Sequence, residues 1–380
     1  MYCFSAPMPY EKEHINKLLN INNQIEKSRI TSLFFSLPSN CEFFTGFEQY
    51  RNSVFNRKWE YWKNLIEYSI NSGVDFIYLL NNPLRLDIEN PDFEKKLDKL
   101  DKLLIELQKI GVKNLRIAEH KLMSYIEKHY MFFNIYASTS FEFKSLQEYS
   151  NFIYMHPKVK QIVPSHDSIK NFTLLKNIKK LLPNVKIELM VNEGCVNGCP
   201  NRNGHASEIM DRHTIVRDDM TISNVYFTKI FCSRLENKIL TMIKANVIYP
   251  WEIKEYHKLG INNFKLVGRD GFIYRIEHYL YEYLMYLKGV DNIKNIENEP
   301  VCTFIHHLSE NEMLKQITVQ DVKKYLPNIS YFKKYGELCS VDCYVECKYC
   351  YKCAEKIKKV YEKKIKERER MPHFVSACKI

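Results

Sequence analysis

The chain lacks any apolar run near the ~18 residues that a membrane-spanning helix needs, so a helical membrane protein is not expected. Its first residues, Met1-Tyr2-Cys3-Phe4-Ser5-Ala6-Pro7, show no basic stretch followed by a hydrophobic block. No secretory leader is expected, and the reading is cytoplasmic. No Gly-rich phosphate loop follows the first apolar run, which argues against a dinucleotide-binding open sheet. A His-Glu-x-x-His zinc motif and a Ser/His/Asp arrangement are also missing. There is neither an internal repeat nor a low-complexity linker.

What is present is a globular composition over 380 residues, enough for one barrel of roughly 250 residues plus an appendage. Lys and Arg outnumber Asp and Glu by 56 to 45, a net charge of +11 that permits RNA or another anionic partner. Much of the excess lies in 352–370, which reads as a solvated helix, so charge alone is a weak pointer.

Up to about residue 270, short apolar runs alternate with amphipathic stretches. Strands are predicted at 2–6, 31–37, 75–80, 115–118, 133–138, 161–163, 186–191 and 264–267. Between them lie helical patterns such as 91–110, with Leu100, Leu103, Leu104 and Leu107 on one face. Gly111 and Gly260 each sit between a helix and a strand, where a C-cap is expected. Eight strands separated by helices predict a TIM-like (β/α)8 barrel over 1–270. A mixed helical connection follows over 271–338, and a Cys-rich helical extension over 339–380.

Twelve cysteines in a reducing compartment point to metal or redox chemistry rather than disulfides. Cys195 and Cys199 form a Cys-x3-Cys on a Gly-rich loop just past the seventh predicted strand. Two thiolates at this spacing can reach one zinc or one iron–sulfur cluster. Cys232 is the natural third ligand. The fourth is open between Cys41, past the second strand, and a cysteine folding back from the C-terminal set. That set, Cys339, Cys343, Cys347, Cys350 and Cys353, reads as a structural or auxiliary metal site, with zinc as the alternative metal. Part of it has the cysteine spacing of radical S-adenosylmethionine enzymes. There the motif follows the first barrel strand, so the match is read as coincidental.

The C-terminal ends of barrel strands carry chemistry. Glu119 and His120, His166 and Asp167, Glu193, and Arg269 are each expected on that face. Of these, Glu119, His166, Glu193 and Arg269 are the candidate catalytic residues. Arg202 and His205 lie within six residues of Cys199, where they would touch substrate or the metal's surroundings. His306 and His307 read as polar surface.

Over 189–200 and 249–269 the chain resembles the collagenase-like U32 peptidase family. The residues are Gly194-Cys195, Cys199, Cys232, the stretch Tyr249-Pro250-Trp251, Gly260, and Lys265-Leu266-Val267-Gly268-Arg269, with Phe4-Ser5-Ala6-Pro7 at the start. Relatives in that family look like oxygen-independent hydroxylation proteins of RNA and ubiquinone pathways, some with a [4Fe–4S] cluster. The resemblance implies an Fe–S cluster at Cys195, Cys199 and Cys232, with Cys41 where one relative has an early ligand. Ala245 stands near where some relatives have the fourth. It implies an oxygen-independent hydroxylase, or a related redox enzyme or subunit, acting on RNA or on a small or peptide substrate. A peptidase with Cys195 as nucleophile, and a metal-stabilised subunit beside a related partner chain, are the alternatives.

Overall fold

The computed structural model describes residues 1–23, 28–48, 56–82, 92–199, 238–268, 273–288, 293–304, 314–336 and 347–370. Eight parallel strands close into a barrel: β1 (Tyr2–Pro7), β2 (Ser28–Phe35), β3 (Asp75–Leu80), β4 (Asn114–Ile117), β5 (Asn134–Ala137), β6 (Val159–Ile162), β7 (Lys186–Met190) and β10 (Asn263–Lys265). Two further strands, β8 (Asn192–Val196) and β9 (Ala245–Val247), form an antiparallel pair outside the barrel. All eight predicted strands are barrel strands, with ends displaced by up to three residues. The barrel order places β10 between β7 and β1, so the long excursion after β7 returns beside its own start.

Each strand alternates an outward apolar residue with an inward one, the period of a pleated strand. In β4, Leu115 and Ile117 face the helices while Asn114 and Arg116 face the barrel axis. Phe34, Ile77, Leu79 and Tyr136 form a small apolar cluster separate from the main core. The main core lies between strands and surrounding helices, where Leu100, Leu103, Leu104 and Leu107 of α3 (Asp92–Lys109) are fully buried. At ~25 cal/mol per Å² of apolar surface, each such leucine contributes roughly 2 kcal/mol.

Helix ends follow the expected chemistry. Gly111 and Gly260 adopt φ of +86° and +78°, the left-handed turn that ends a helix without a Cβ penalty. The amides of Gly111 and Val112 close on the carbonyls of Gln108 and Leu107. Ser145 and Glu148 form a capping box on α5 (Leu146–Met155), and Asn171 caps α6 (Phe172–Leu181).

The helix Ile273–Lys288 lies past the boundary predicted for the barrel, yet it packs on the barrel wall. Tyr283 donates to the Ile248 carbonyl at 2.6 Å, and its ring lies 5.9 Å from that of Phe4. The helix Ile329–Tyr335 docks through Gly336 on the turn before α6. A Cβ there would collide with the Lys170 carbonyl and lie 3.0 Å from Asn171 Cα. Lys170 in turn donates to the carbonyls of Ile243 and Ala245, at 3.3 and 2.8 Å. Gly336→Ala is therefore expected to cost about 1–3 kcal/mol by overpacking. Limited proteolysis should show 314–370 becoming sensitive before the barrel does.

Candidate functional site

β7 ends at Met190 and β8 begins at Asn192, so the chain leaves the barrel directly over its C-terminal mouth. Asn192 fixes the exit: its side chain donates to the Val267 carbonyl at 3.0 Å and accepts from the Val267 amide at 2.8 Å. The Cys195 segment, read from sequence as a loop, is instead strand β8. Val196 pairs with Ala245, and Asn192 with Val247. Pairing satisfies backbone groups that glycines alone would leave to water. Ala245 thus lies across from the residue next to Cys195, and its methyl group offers no ligand atom.

Side-chain carboxylates hold the turn between the two cysteines. The Cys195 amide donates to Glu193 Oε1 at 3.0 Å, and the Gly198 amide to Asp167 Oδ1 at 2.8 Å. The Asn197 amide donates to the Lys244 carbonyl at 2.9 Å. Gly198 has φ of +68°, which favours glycine. Cys195 and Cys199 are both half-buried.

His166 lies between two carboxylates. Its Nδ1 is 3.0 Å from Glu142 Oε1, and its Nε2 is 3.6 Å from Glu193 Oε2. Burial alone would push the imidazole pKa down. Hydrogen bonds to Glu142 and Glu193, and their charges, outweigh burial and bring it up to about 9. Glu142 also accepts from Ser165 at 2.8 Å and, among the described residues, is alone outside glycine in having positive φ, +48°. The mouth therefore carries a Glu142–His166–Glu193 chain ending beside Cys195.

Below the mouth the barrel is charged. Arg116 Nη2 donates to Glu188 Oε2 at 2.6 Å, and Ser5 to Glu188 Oε1 at 2.7 Å. Burial opposes ionisation of Glu188, but Arg116, Lys265 and Ser5 together hold its carboxyl below the usual range. Lys265 ends β10, with its Nζ 4.6 Å from the centre of the Phe34 ring.

The candidate residues divide accordingly. His166 and Glu193 meet, while Glu119 is occupied as a helix cap, accepting from the Lys121 and Leu122 amides of α4 (His120–His129). His120 is paired with His156 at 2.9 Å between α4 and α5. Arg269, Cys232, Cys339, Cys343, Arg202, His205, His306 and His307 lie outside the described residues.

Among the described residues no three His, Cys, Asp or Glu side chains converge as a metal site. Cys195 and Cys199 supply two thiols of a kind that suits iron–sulfur or zinc. Cys41 does not join them. It is packed in the core, and burial pushes its thiol up to about 12. Cys347, Cys350 and Cys353 are buried too, the latter two within the main core, and Cys347 Sγ lies 3.3 Å from the Tyr331 hydroxyl.

Asp167 was expected on this face, whereas Glu142 and the Arg116–Glu188–Lys265 group were not singled out from sequence. The last left a signal: each charge stands between apolar neighbours, in Leu-Arg-Ile, Ile-Glu-Leu and Phe-Lys-Leu. Glu142 left none, since its role depends on the turn it sits in.

No known family profile matches the chain. It is 21% identical over 370 residues to an uncharacterized protease of Methanocaldococcus jannaschii, covering 95% of this chain and 99% of that one. Among solved structures it is similar to a U32 peptidase at 11% identity, covering 70% of this chain and 93% of that one with a TM-score of 0.47. A Clostridium difficile protein solved with mannosamine matches at 11% identity over 95% and 98%, with a TM-score of 0.35.

Proposed function

From its resemblance to the U32 peptidase family, we propose that this chain is an enzyme whose C-terminal barrel mouth carries a thiolate-bound metal centre. Cys195 and Cys199 would hold it, joined by Cys232, with a [4Fe–4S] cluster favoured over zinc. The supporting observation is the turn at Cys195–Cys199, where three backbone amides are fixed by Glu193, Asp167 and Lys244 beside a half-buried Glu142–His166–Glu193 chain. A held turn with two half-buried thiols suits ligation better than core packing does. Such a cluster would supply electrons for oxygen-independent hydroxylation or a related redox modification. His166, kept protonated, would donate a hydrogen bond or a proton to substrate. An RNA, a small molecule or a peptide remains the substrate class of this reading.

Anaerobic purification should give roughly four irons and four sulfides per chain and an EPR signal after reduction. Cys195→Ser and Cys199→Ser should lose them. Zinc without iron would sink the redox reading.

The named protease relative favours a second reading, a peptidase with Cys195 as nucleophile. His166 counts against it, because an imidazolium between two carboxylates is not free to take the thiol proton. Casein cleavage abolished by Cys195→Ala at unchanged metal content would establish it.

A further inference from the structure

A carboxylate and two imidazoles stand in line between two helices of the barrel wall. Glu127 lies on α4, and His156 directly follows α5. Glu127 Oε2 is 3.0 Å from His156 Nδ1, and His156 Nε2 is 2.9 Å from His120 Nδ1. The other carboxylate oxygen, Oε1, accepts from the Lys158 amide at 3.3 Å. His156 is closed to water, with its side chain 2% exposed. His120 at the outer end is exposed, its ring meeting Phe141 edge-on at 4.9 Å and lying 5.6 Å from Phe152.

This order of atoms fixes where the protons sit. An ionised carboxylate only accepts, so His156 donates to Glu127 from Nδ1. With both rings neutral, His156 Nε2 carries a lone pair, and His120 donates to it from Nδ1. The lone pair of His120 is then on Nε2, which no hydrogen bond reaches among the described residues. A proton taken up at Nε2 is balanced along the line, because the Nδ1 proton passes to His156 Nε2. The added charge comes to rest on His156, against the Glu127 carboxylate. A base oriented by a third group is the arrangement that activates hydroxyls and thiols in other enzymes.

The line ends on the barrel's C-terminal face. His120 opens α4 three residues past β4, and Phe141 closes the short turn Thr139–Phe141 that follows β5. The next residue, Glu142, is the partner of His166. These two histidines are tuned apart. Burial and the neighbouring His156 push His120 down, against an upward pull from Glu119, and these are the titratable groups that act on it. His166 is instead brought up to about 9. Titratable groups pushed apart in this way serve as base and acid.

We propose that His120 is a catalytic base on the rim of the mouth, whose Nε2 takes a proton from an O–H group of the substrate or of an attacking water. His156 and Glu127 are positioning residues behind it. The inference rests on the mouth being the substrate face and is independent of which metal is there.

Nitrogen–proton correlation spectra of the imidazoles in the full chain at pH 8 report which ring nitrogen carries the proton. His120 is expected with its proton on Nδ1, the form that free histidine favours less, and His156→Leu should lose that preference. Diethyl pyrocarbonate, which acylates an unprotonated imidazole nitrogen, would be applied at pH 7 and the modified sites read by peptide mass spectrometry. Acylation at Nε2 sheds the Nδ1 proton toward His156, so its rate senses the carboxylate behind. Glu127→Gln keeps an acceptor for His156 but removes the charge. It should slow the reaction at His120 several-fold and leave that at the exposed His257 unchanged. Circular dichroism would confirm that both variants fold. A proton on Nε2 of His120 in the native protein, or a rate at His120 indifferent to Glu127→Gln, would overturn the assignment. Iron content measured on the same samples separates this outcome from failure of the metal reading.

Discussion

Glu188→Leu is expected to destabilise the protein by about 3–5 kcal/mol, the usual cost of leaving a buried charge without its partner. Glu188 is 2% exposed and is the carboxylate that faces both Arg116 and Lys265. Its loss takes this carboxylate from Arg116 and Lys265, and Ser5 and Arg116 each lose an acceptor. Arg116→Met is expected to cost less, because Lys265 still balances Glu188. The double variant Arg116→Met/Glu188→Leu should recover most of the loss, since apolar side chains of similar volume replace a buried ion pair at little net cost. Urea midpoints at pH 7 for the three variants would show this order. Equal costs for the two single substitutions would mean that Lys265 does not share the pair.

The barrel was legible in sequence because its signals are local and repeated. Period-two strands, helical leucine spacing in 91–110 and the capping glycines 111 and 260 all describe the chain over a few residues at a time. The outcome at Cys195 was half legible. Its place at a strand end followed from the strand count, but its own pairing with 245–247 did not. That pairing joins segments about fifty residues apart, and its strands are short. Glu119 has a structural role that the sequence reading did not name. An acidic residue past a strand looks catalytic, yet the next helix needs its first amides capped, and the carboxylate nearest them does so. Cys41 is packed in the main core for a tertiary reason that spacing cannot express. Arg116, Glu188 and Lys265 stand far apart in sequence, and only barrel closure brings them together.

Stability is expected to fall as pH rises from about 6.5 to about 9, and His166 is the reason. Its folded pKa lies near 9 against an ordinary value of 6.5, so the folded state holds a proton that the unfolded chain releases. A group raised on folding contributes fully below its unfolded pKa and loses that contribution as pH climbs through the folded one. At 1.36 kcal/mol per unit, the gap amounts to about 3 kcal/mol. Other groups differ in sign or window. His120 is lowered by burial and by His156, so its share is lost on the acid side, below about 6.5. Glu252, raised by burial to about 7, changes between its ordinary value and that pH. His278, raised by its pairing with Glu299, slopes the same way as His166, so the comparison must be made between variants. Thermal melts of native protein and His166→Gln at pH 6, 7, 8 and 9 make that comparison. The native melting temperature should drop by several degrees more than the variant's between pH 7 and 9, because only the native protein loses the Glu142–His166⁺–Glu193 attraction. Parallel slopes would show that His166 is not held protonated. The proton it was assigned at the mouth would then not exist at neutral pH, and His166 would regain the free nitrogen that a thiol-activating base requires.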